Sequence, residues 1–544
     1  MPEIATIIGG AGTGKTTHLL NLMEWWLRQD FMDWRDIGFC SFTRAARLEA
    51  MSRAADRFGF SVEEMEKDGW FRTYHGCCFK LLRIRSASLI ADSVADRKWL
   101  SDAVGEPVSG ATEDEGHDIL EAIAGRAPAD AALSLWDAAR NRLVPLEHVW
   151  RRAMHCDHRT PSLEFCIEIA SRYEQRKRLD NRIDYTDVLG RYAGWMFTPL
   201  GHYRIEPEGR IPLVDVWFLD EAQDNSALSD QVARRLTSQS RFVYVVGDPF
   251  QAIYSFSGAD PSHFQAWTNR DRLRILQKSY RCAEDILRVG EDVLQSCSDY
   301  WDRNIQPADH AGDVRRVLYR EPWIREINPA SKESWLLLCR TNFIASRMAK
   351  RLDSQGIPWV STNGHGSRWS APVRFKAFVG LTFLEEGWPI TAEQWQAAVS
   401  KIPVKNNLQP GAKTEWKSYC GDPEKMNDLD HLHEWGASPC LVESIRRGEW
   451  PALIDAVDFR EAYKKYGLRA IESPRVRIGT IHSAKGMEAD NVVLLTTITH
   501  QVHRGMEDRA GRDEEARLWY VGATRARTRL LIAREPDAKY QWVM

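Results

Sequence analysis

Short apolar runs recur along the chain and end in polar or glycine-containing tips. They include Ile4 to Ile8, Gly38-Phe39-Cys40-Ser41, Val216-Trp217-Phe218-Leu219 and Phe242 to Val246. Later ones are Trp335 to Cys339, Val476 to Gly479, Val492 to Leu495 and Leu530-Leu531-Ile532. Short continuous apolar stretches read as strands buried on both faces. Helical spacing separates several of them; after the first run, Leu19, Leu22, Met23, Trp26 and Leu27 fall on one face of a helix. The pattern predicts an α/β fold with parallel sheets, divided into two similar halves. The first half is assigned to 1–84 and 206–276, the second to 277–380 and 474–544. A second set of strands is expected to begin near Leu273 and to close at Lys278-Ser279-Tyr280-Arg281. Between 85 and 205 short helical patterns alternate with turns such as Gly105-Glu106-Pro107 and Thr112-Glu113-Asp114-Glu115-Gly116, which predicts an all-helical insertion. Residues 381–473, rich in Trp, Pro and short helical patterns and without an internal repeat, form a second, smaller insertion.

At 544 residues the chain is long enough for three or four domains at ~150 residues each. A net charge of −3 excludes a basic surface spread over the whole protein, so any nucleic-acid site must be a local groove. The ten cysteines form no C-x-x-C pair, and Cys77-Cys78 are adjacent, as expected for reduced thiols in a cytosolic protein. The chain enters a strand at once, so no signal peptide is expected, and no apolar run approaches the ~18 residues of a membrane span. The 22 tryptophans, Trp25-Trp26 included, are read mainly as core packing.

The candidate chemistry sits at the strand tips, where open α/β sheets carry ligands. Gly9-Gly10-Ala11-Gly12-Thr13-Gly14-Lys15-Thr16 fits G-x-x-x-x-G-K-[ST] between a strand and a helix. Its backbone N–H groups can cradle phosphate oxygens, Lys15 can reach the β and γ phosphates, and Thr16 can hold Mg²⁺. Taken alone, that loop fits a kinase, a switch GTPase or a motor. The apolar strand ending at Asp220-Glu221-Ala222-Gln223-Asp224 shifts the balance toward hydrolysis. There Asp220 would bind Mg²⁺ through water and Glu221 would orient and deprotonate the attacking water. Gln251, beyond the next strand tip, is placed to sense the γ-phosphate. Tyr254 and Phe256 follow it; spacing alone fits either base-stacking platforms, at roughly 1–3 kcal/mol per base, or core aromatics. The tips at Thr43-Arg44 and Thr73-Tyr74-His75 are further candidates. A helix carrying Arg172, Arg176, Lys177 and Arg178 reads equally as a phosphate-contacting face and as a solvated surface. In this layout one half would bind the phosphates and the other would supply arginines in cis, worth roughly 10³–10⁵ in rate.

The order of these motifs resembles superfamily 1A DNA helicases, the UvrD/PcrA/Rep family, from residue 4 to about 533. Gly9 to Thr17 is similar to motif I, Phe39 to Arg47 to motif Ia, and Thr73-Tyr74-His75 to the family's Thr-x-His. Ile183-Asp184-Tyr185-Thr186-Asp187 resembles the Asp-Phe-x-Asp stretch. Asp220 to Asp224 resembles motif II, Val246 to Asp260 motif III, and Tyr280-Arg281 motif IV. Thr480 to Glu488 resembles motif V and Tyr520 to Ala526 motif VI. The resemblance implies two RecA-like P-loop domains with parallel sheets, each carrying a mainly helical insertion. It implies ATP and Mg²⁺ as cofactors, with Gly10, Ala11, Gly12, Thr13, Gly14, Lys15, Thr16 and Thr17 around the phosphates. Lys15, Thr16, Asp220 and Glu221 would form the hydrolytic centre. Gln251, Arg281 and Arg525 would meet the γ-phosphate, Tyr280 would stack on adenine, and Glu488 would meet the ribose. Thr43, Arg44, Thr73, His75, Tyr254, Phe256, Thr480 and His482 would line a path for single-stranded DNA. Also implied are 3′→5′ movement, a single-strand/duplex junction as substrate, and domains that close on ATP and reopen after hydrolysis.

Several positions depart from the family pattern. Only three residues precede the first strand, so the Gln-containing adenine-reading segment has no counterpart, which leaves the choice between ATP and other nucleotides open. Thr17 replaces an Arg, Arg44 stands where Asn is common, and Phe256 replaces a Trp while keeping an aromatic face. A monomer or weak self-association is expected, in the cytoplasm near the nucleoid, or in the host cytoplasm for a phage relative. The alternatives are an ATP-driven single-strand translocase that strips proteins, a P-loop small-molecule kinase, and a catalytically dead nucleic-acid scaffold. No carboxylate cluster at either end suggests a fused nuclease.

Overall fold

The computed structural model describes residues 2–29, 32–41, 43–91, 93–109, 127–268, 270–364 and 367–544. The acidic turn at Thr112–Gly116 and Phe42 of the second strand tip lie outside them. The fold is α/β, with two parallel sheets, and the described residues divide into two compact units. The first comprises Met1–Arg316, Ile481–Glu488 and Thr496–Met544; the second comprises Val317–Thr480 and Ala489–Leu495. In the first unit the segment after Leu276 stays on the phosphate loop. Tyr280 N–H donates to Gly12 O at 2.8 Å, and Ser279 Oγ donates to Ala11 O at 2.9 Å.

The sheet of the first unit has six strands in the order Trp70–Thr73, Ile37–Ser41, Val216–Asp220, Phe242–Gly247, Glu3–Gly9, Leu273–Leu276. Neighbours in this order pair in parallel. Leu273–Leu276 therefore completes this sheet rather than opening a second set of strands, a correction to the sequence expectation. Strand side chains alternate between the two faces. Ile7, Phe39, Val216, Phe218 and Val246 pack with Leu19, Leu20, Met23 and Trp26 of the helix Lys15–Leu27. Ile8, Cys40, Trp217, Leu219 and Val245 face the other way and share a core with Leu135, Trp136, Val188 and Tyr192 of the insertion. Both faces are covered, which is why these strands read as unbroken apolar runs. Trp25, expected in the core, is instead 54% exposed: its neighbour Trp26 faces the sheet, and adjacent helical positions diverge by about 100°.

The insertion is not all helical. After the helices Pro128–Arg142, Leu146–Cys156, Leu163–Leu179 and Tyr185–Ala193 comes an antiparallel pair, Trp195–Thr198 with Gly201–Arg204. Lys177 is no surface cation either. It is buried and pairs with Glu174, Asp184 and Asp187 at 2.9, 3.0 and 2.7 Å, while Arg140 reaches Asp184 at 2.7 Å. Asp184 also caps the helix Tyr185–Ala193. Arg172 and Arg176 remain at the surface, paired with Glu168 and Asp180.

In the second unit the parallel strands run in the order Val360–Ser361, Val476–Thr480, Trp335–Cys339, Ala489–Leu495. Its smaller helical part is built on aromatics: Trp369 stacks on Phe459 at 5.3 Å, and Trp395 and Trp450 are fully buried. None of the ten cysteines forms a disulfide, and eight of them are buried. Among the described residues no helix is long and apolar enough to cross a membrane.

Candidate functional site

Parallel pairing brings the carboxyl ends of the strands to one edge of the first sheet. Ser41 is level with both Thr73 and Asp220, Leu219 with Val245, and Ile8 with Gly247. The phosphate loop, the Asp-Glu pair, the sensor strand and two polar tips therefore share one edge.

The loop after Gly9 turns because Gly12 and Gly14 adopt φ of 69° and 76°, where a side chain is strained. A Cβ on Gly10 would lie 2.1 Å from Ile305 Cδ1, so this position also has no room for one. Gly14 then caps the helix Lys15–Leu27 without a side chain, leaving the first-turn N–H groups directed at the loop. Thr13 Oγ1 donates to Gly10 O at 3.1 Å. Thr16 occupies the first helical turn, and Thr17, on the exposed side, accepts from Arg53 at 2.8 Å.

Lys15 Nζ donates to Gly9 O at 3.1 Å and lies 4.0 Å from Glu221 Oε1. Glu221 is a non-glycine residue in the left-handed region, at φ 52°, a conformation that costs about 1–3 kcal/mol and concentrates at functional sites. Its carboxylate accepts from Gln223 Nε2 at 2.5 Å. Burial works against its ionisation, but Lys15 and then Lys485 hold its carboxyl down at about 2. Asp220 behaves oppositely: burial, then the charge of Glu221, pushes it up to about 7. Asp220 is buried and Glu221 beside it is half-buried; the lysines that hold Glu221 down do not offset the burial of Asp220, and a divalent cation fits that deficit.

Two residues that spacing did not single out complete the centre. Lys485 Nζ, brought in by the segment Ile481–Glu488, donates to both Asp224 oxygens at 2.6 and 2.5 Å and to Gln251 O at 2.7 Å. It also lies 4.8 Å from the Tyr254 ring centroid. Burial pushes Asp224 up to about 7 despite this lysine. Gln251 is buried, and its amide donates to Asp248 Oδ2 at 2.9 Å. The sequence signal was present, in the Asp that closes Asp220–Asp224 and the Lys of Ser483-Ala484-Lys485-Gly486. Their partnership spans 261 residues and is visible only in the fold.

Both candidate arginines stand in the same unit as the loop. A Cβ on Gly12 would come within 2.4 Å of Arg281 Cβ, so Arg281 packs directly on the loop backbone. Its Nε donates to Glu488 at 2.6 Å, and Arg527 holds the other Glu488 oxygen at 3.0 Å. Arg525 is 2% exposed; Nε donates to Val521 O and Nη1 to Met487 O, whereas Nη2 is buried without a partner. Burial, then the charge of Arg281, brings its guanidinium down to about 10, so it stays charged. A buried unpaired donor of this kind fits an anionic ligand. Tyr280 is 69% exposed, with its ring edge 3.7 Å from where a Gly14 Cβ would stand, an open face beside the loop.

The candidate track residues divide into caps and aromatics. Thr43 caps the helix Arg44–Phe58 by accepting Ala46 N–H at 3.1 Å, and Thr73 caps Tyr74–Leu82 by accepting Gly76 N–H at 3.2 Å. Arg44 is exposed. His75 packs edge-on to Tyr185, and burial, then the charge of Arg44, keeps it neutral at about 4. Phe256 lies edge-on to Tyr254 at 5.9 Å and to His482 at 6.3 Å, all three within the first unit. Thr480 is buried at the end of its strand Val476–Thr480, in the second unit.

The family described as the UvrD/REP helicase N-terminal domain matches residues 3–271, and the UvrD-like helicase C-terminal domain matches 453–535. YjcD of Bacillus subtilis is 22% identical over 608 aligned positions, covering 97% of this chain and 76% of that protein. The ATP-dependent DNA helicase UvrD2 of Mycobacterium tuberculosis is 23% identical, covering 97% and 76%. The ATP-dependent DNA helicase PcrA of Leuconostoc citreum is 20% identical, covering 97% and 79%. With the ordered motifs gathered on one sheet edge and these matches spanning nearly its whole length, the chain belongs to the UvrD/PcrA family of superfamily 1 helicases.

Proposed function

We propose that this chain is an ATP-dependent DNA helicase that moves 3′→5′ along single-stranded DNA and separates the duplex ahead of it. The observation that carries this reading is a direct linkage. Lys485 joins Asp224 of the hydrolytic edge to the carbonyl of Gln251 and to the ring of Tyr254, which touches Phe256 and, through it, His482. A change at the phosphates is thereby passed to an aromatic surface suited to stacking bases.

In this reading the loop Gly10–Thr16 and Lys15 hold the triphosphate, with Tyr280 against the base. Thr16 and, through water, Asp220 would hold Mg²⁺, which offsets charge on the β and γ oxygens. Glu221 is an ionised acceptor that aligns the attacking water. As the water oxygen bonds to the γ-phosphorus, the bond to the β–γ bridging oxygen breaks, ADP leaves with that oxygen, and one water proton passes through Glu221 to solvent. Such reactions depend on positioning and charge more than on a strong base, so a carboxyl at about 2 suits the role. Arg525 and Arg281 stabilise charge on the equatorial oxygens, and the unpaired Nη2 of Arg525 becomes paired. Breaking Arg281–Glu488 frees Glu488 for the ribose.

The test is strand displacement on duplexes with a 3′ or a 5′ single-stranded tail. The proposal expects ATP-dependent displacement from the 3′ tail alone. Displacement from the 5′ tail alone reverses the polarity, and removal of bound protein without strand separation leaves the translocase reading.

A further inference from the structure

The sensor strand Phe242–Gly247 ends at Asp248, a fully buried carboxylate. Asp248 accepts from Phe250 N–H at 3.1 Å and from Gln251 Nε2 at 2.9 Å. Both its oxygens also accept from Nη1 of Arg303, at 2.7 and 2.8 Å. The Arg303 side chain is 0% exposed. Its Nη2 donates to Glu291 at 2.6 Å, and its guanidinium lies 4.7 Å from the Phe250 ring and 5.2 Å from the Tyr520 ring. The Tyr520 hydroxyl donates to Asp248 at 3.4 Å and accepts the N–H of Ala11, in the phosphate loop, at 3.2 Å. Arg303 is thus the cation at a junction of three parts: the sensor glutamine, the phosphate loop, and the helix Arg509–Ala523 that leads to Arg525.

We propose that Arg303 is a positioning residue for hydrolysis, which balances the charge of Asp248 and so sets how firmly Asp248 holds the Gln251 amide. An ionised carboxylate without a cation would keep the amide as its donor. With the charge shared by Arg303, the amide is exchangeable for a γ-phosphate oxygen. Arg303 touches no reacting atom; it acts through Asp248 and Gln251. Lysine is a poor substitute, because its point charge cannot serve Asp248 and Glu291 in one plane while lying between two rings. The inference rests on the reading of Gln251 as the γ-phosphate sensor.

The experiment measures kcat and KM for ATP with saturating single-stranded DNA on the full chain. It compares wild type, Arg303→Lys, Gln251→Ala, Gln251→Ala/Arg303→Lys, and Arg303→Gln/Asp248→Asn. Arg303→Lys is expected to lower kcat on the order of tenfold to a hundredfold, the size of loss that small misplacements cause, with KM within about threefold. In the Gln251→Ala background the same change should cost less than about twofold, because residues acting as one unit are not additive. Arg303→Gln/Asp248→Asn has no buried charge at this pair and is expected to fold and to exceed Gln251→Ala in kcat, which keeps the test valid if Arg303→Lys does not fold. An equal loss from Arg303→Lys with and without Gln251, a loss carried by KM, or a neutral pair no better than Gln251→Ala overturns the inference. A wild type without DNA-stimulated hydrolysis overturns the parent reading as well; a wild type matched by Arg303→Lys overturns this one alone.

Discussion

Removing the Lys485 ammonium should destabilise the first unit and uncouple hydrolysis from DNA. Lys485 and Asp224 side chains are 8% and 2% exposed, and the ammonium makes three hydrogen bonds, two to Asp224 and one to Gln251 O. At these distances the pair's Coulomb attraction is about 6 kcal/mol at an effective dielectric of about 20, much of it offset by desolvation. Lys485→Met leaves the carboxylate buried and alone, for which about 3–5 kcal/mol is typical. At about 2.1 cal/mol/K per residue over a unit of this size, that is a Tm lower by roughly 4–6 °C. The assay is thermal unfolding followed by tryptophan fluorescence at about pH 9.5, where Asp224, at about 7 beside its lysine, is ionised in the wild type, with the double variant Lys485→Met/Asp224→Asn as control. The double variant should recover most of the loss, since no buried charge is then left unpaired. Asp224 is already pushed up to about 7 with its lysine present, and further without it. The folded carboxyl therefore binds a proton that the unfolded one, near 4, does not, so the penalty of Lys485→Met should shrink as pH falls toward 5. A Tm within about 1 °C of wild type, or a double variant no better than the single, would refute the reasoning.

Arg525→Ala should cut ATP turnover by roughly 10³-fold or more while changing nucleotide affinity far less, measured by steady-state kinetics beside fluorescent-nucleotide binding; comparable losses in both remove it from the γ-phosphate. Phe256→Ala should slow movement along single-stranded DNA more than it lowers ATPase without DNA, read by stopped-flow translocation; unchanged speed takes it off the track. Asp220→Asn should raise the Tm of the nucleotide-free, Mg²⁺-free protein at pH 8. Burial and Glu221 push the Asp220 carboxyl up to about 7, so its ionisation penalty is present above that pH and fades as pH falls toward 4. A gain of equal size at pH 5 and pH 8 contradicts that origin.

What the chain discloses before folding follows from the range of each interaction. The phosphate loop is local: a strand, glycines at positive φ and a helix lie within one stretch, and they form as read. The buried strands were legible because both sheet faces are covered, so no polar alternation obscured them. The start of the second set of strands is read too early, at Leu273, because an edge strand carries the same short apolar signal whichever sheet it joins. The hairpin after Ala193 was missed because Trp195–Thr198 and Gly201–Arg204 are each four residues long, below the span over which strand and helix periods separate. Lys177 read as surface because neighbouring arginines on its helix are exposed, while its own partners, Asp184 and Asp187, arrive from the next helix. The Lys485–Asp224 and Arg303–Asp248 pairs depend on chain crossings that no periodicity encodes.

The most direct measurement of the central claim is the steady-state ATP hydrolysis rate of the intact chain, with and without single-stranded DNA, beside Lys15→Ala. The account predicts a low rate alone, a many-fold rise with DNA, and loss of both in Lys15→Ala. A rate indifferent to DNA, or turnover that survives Lys15→Ala, would contradict it.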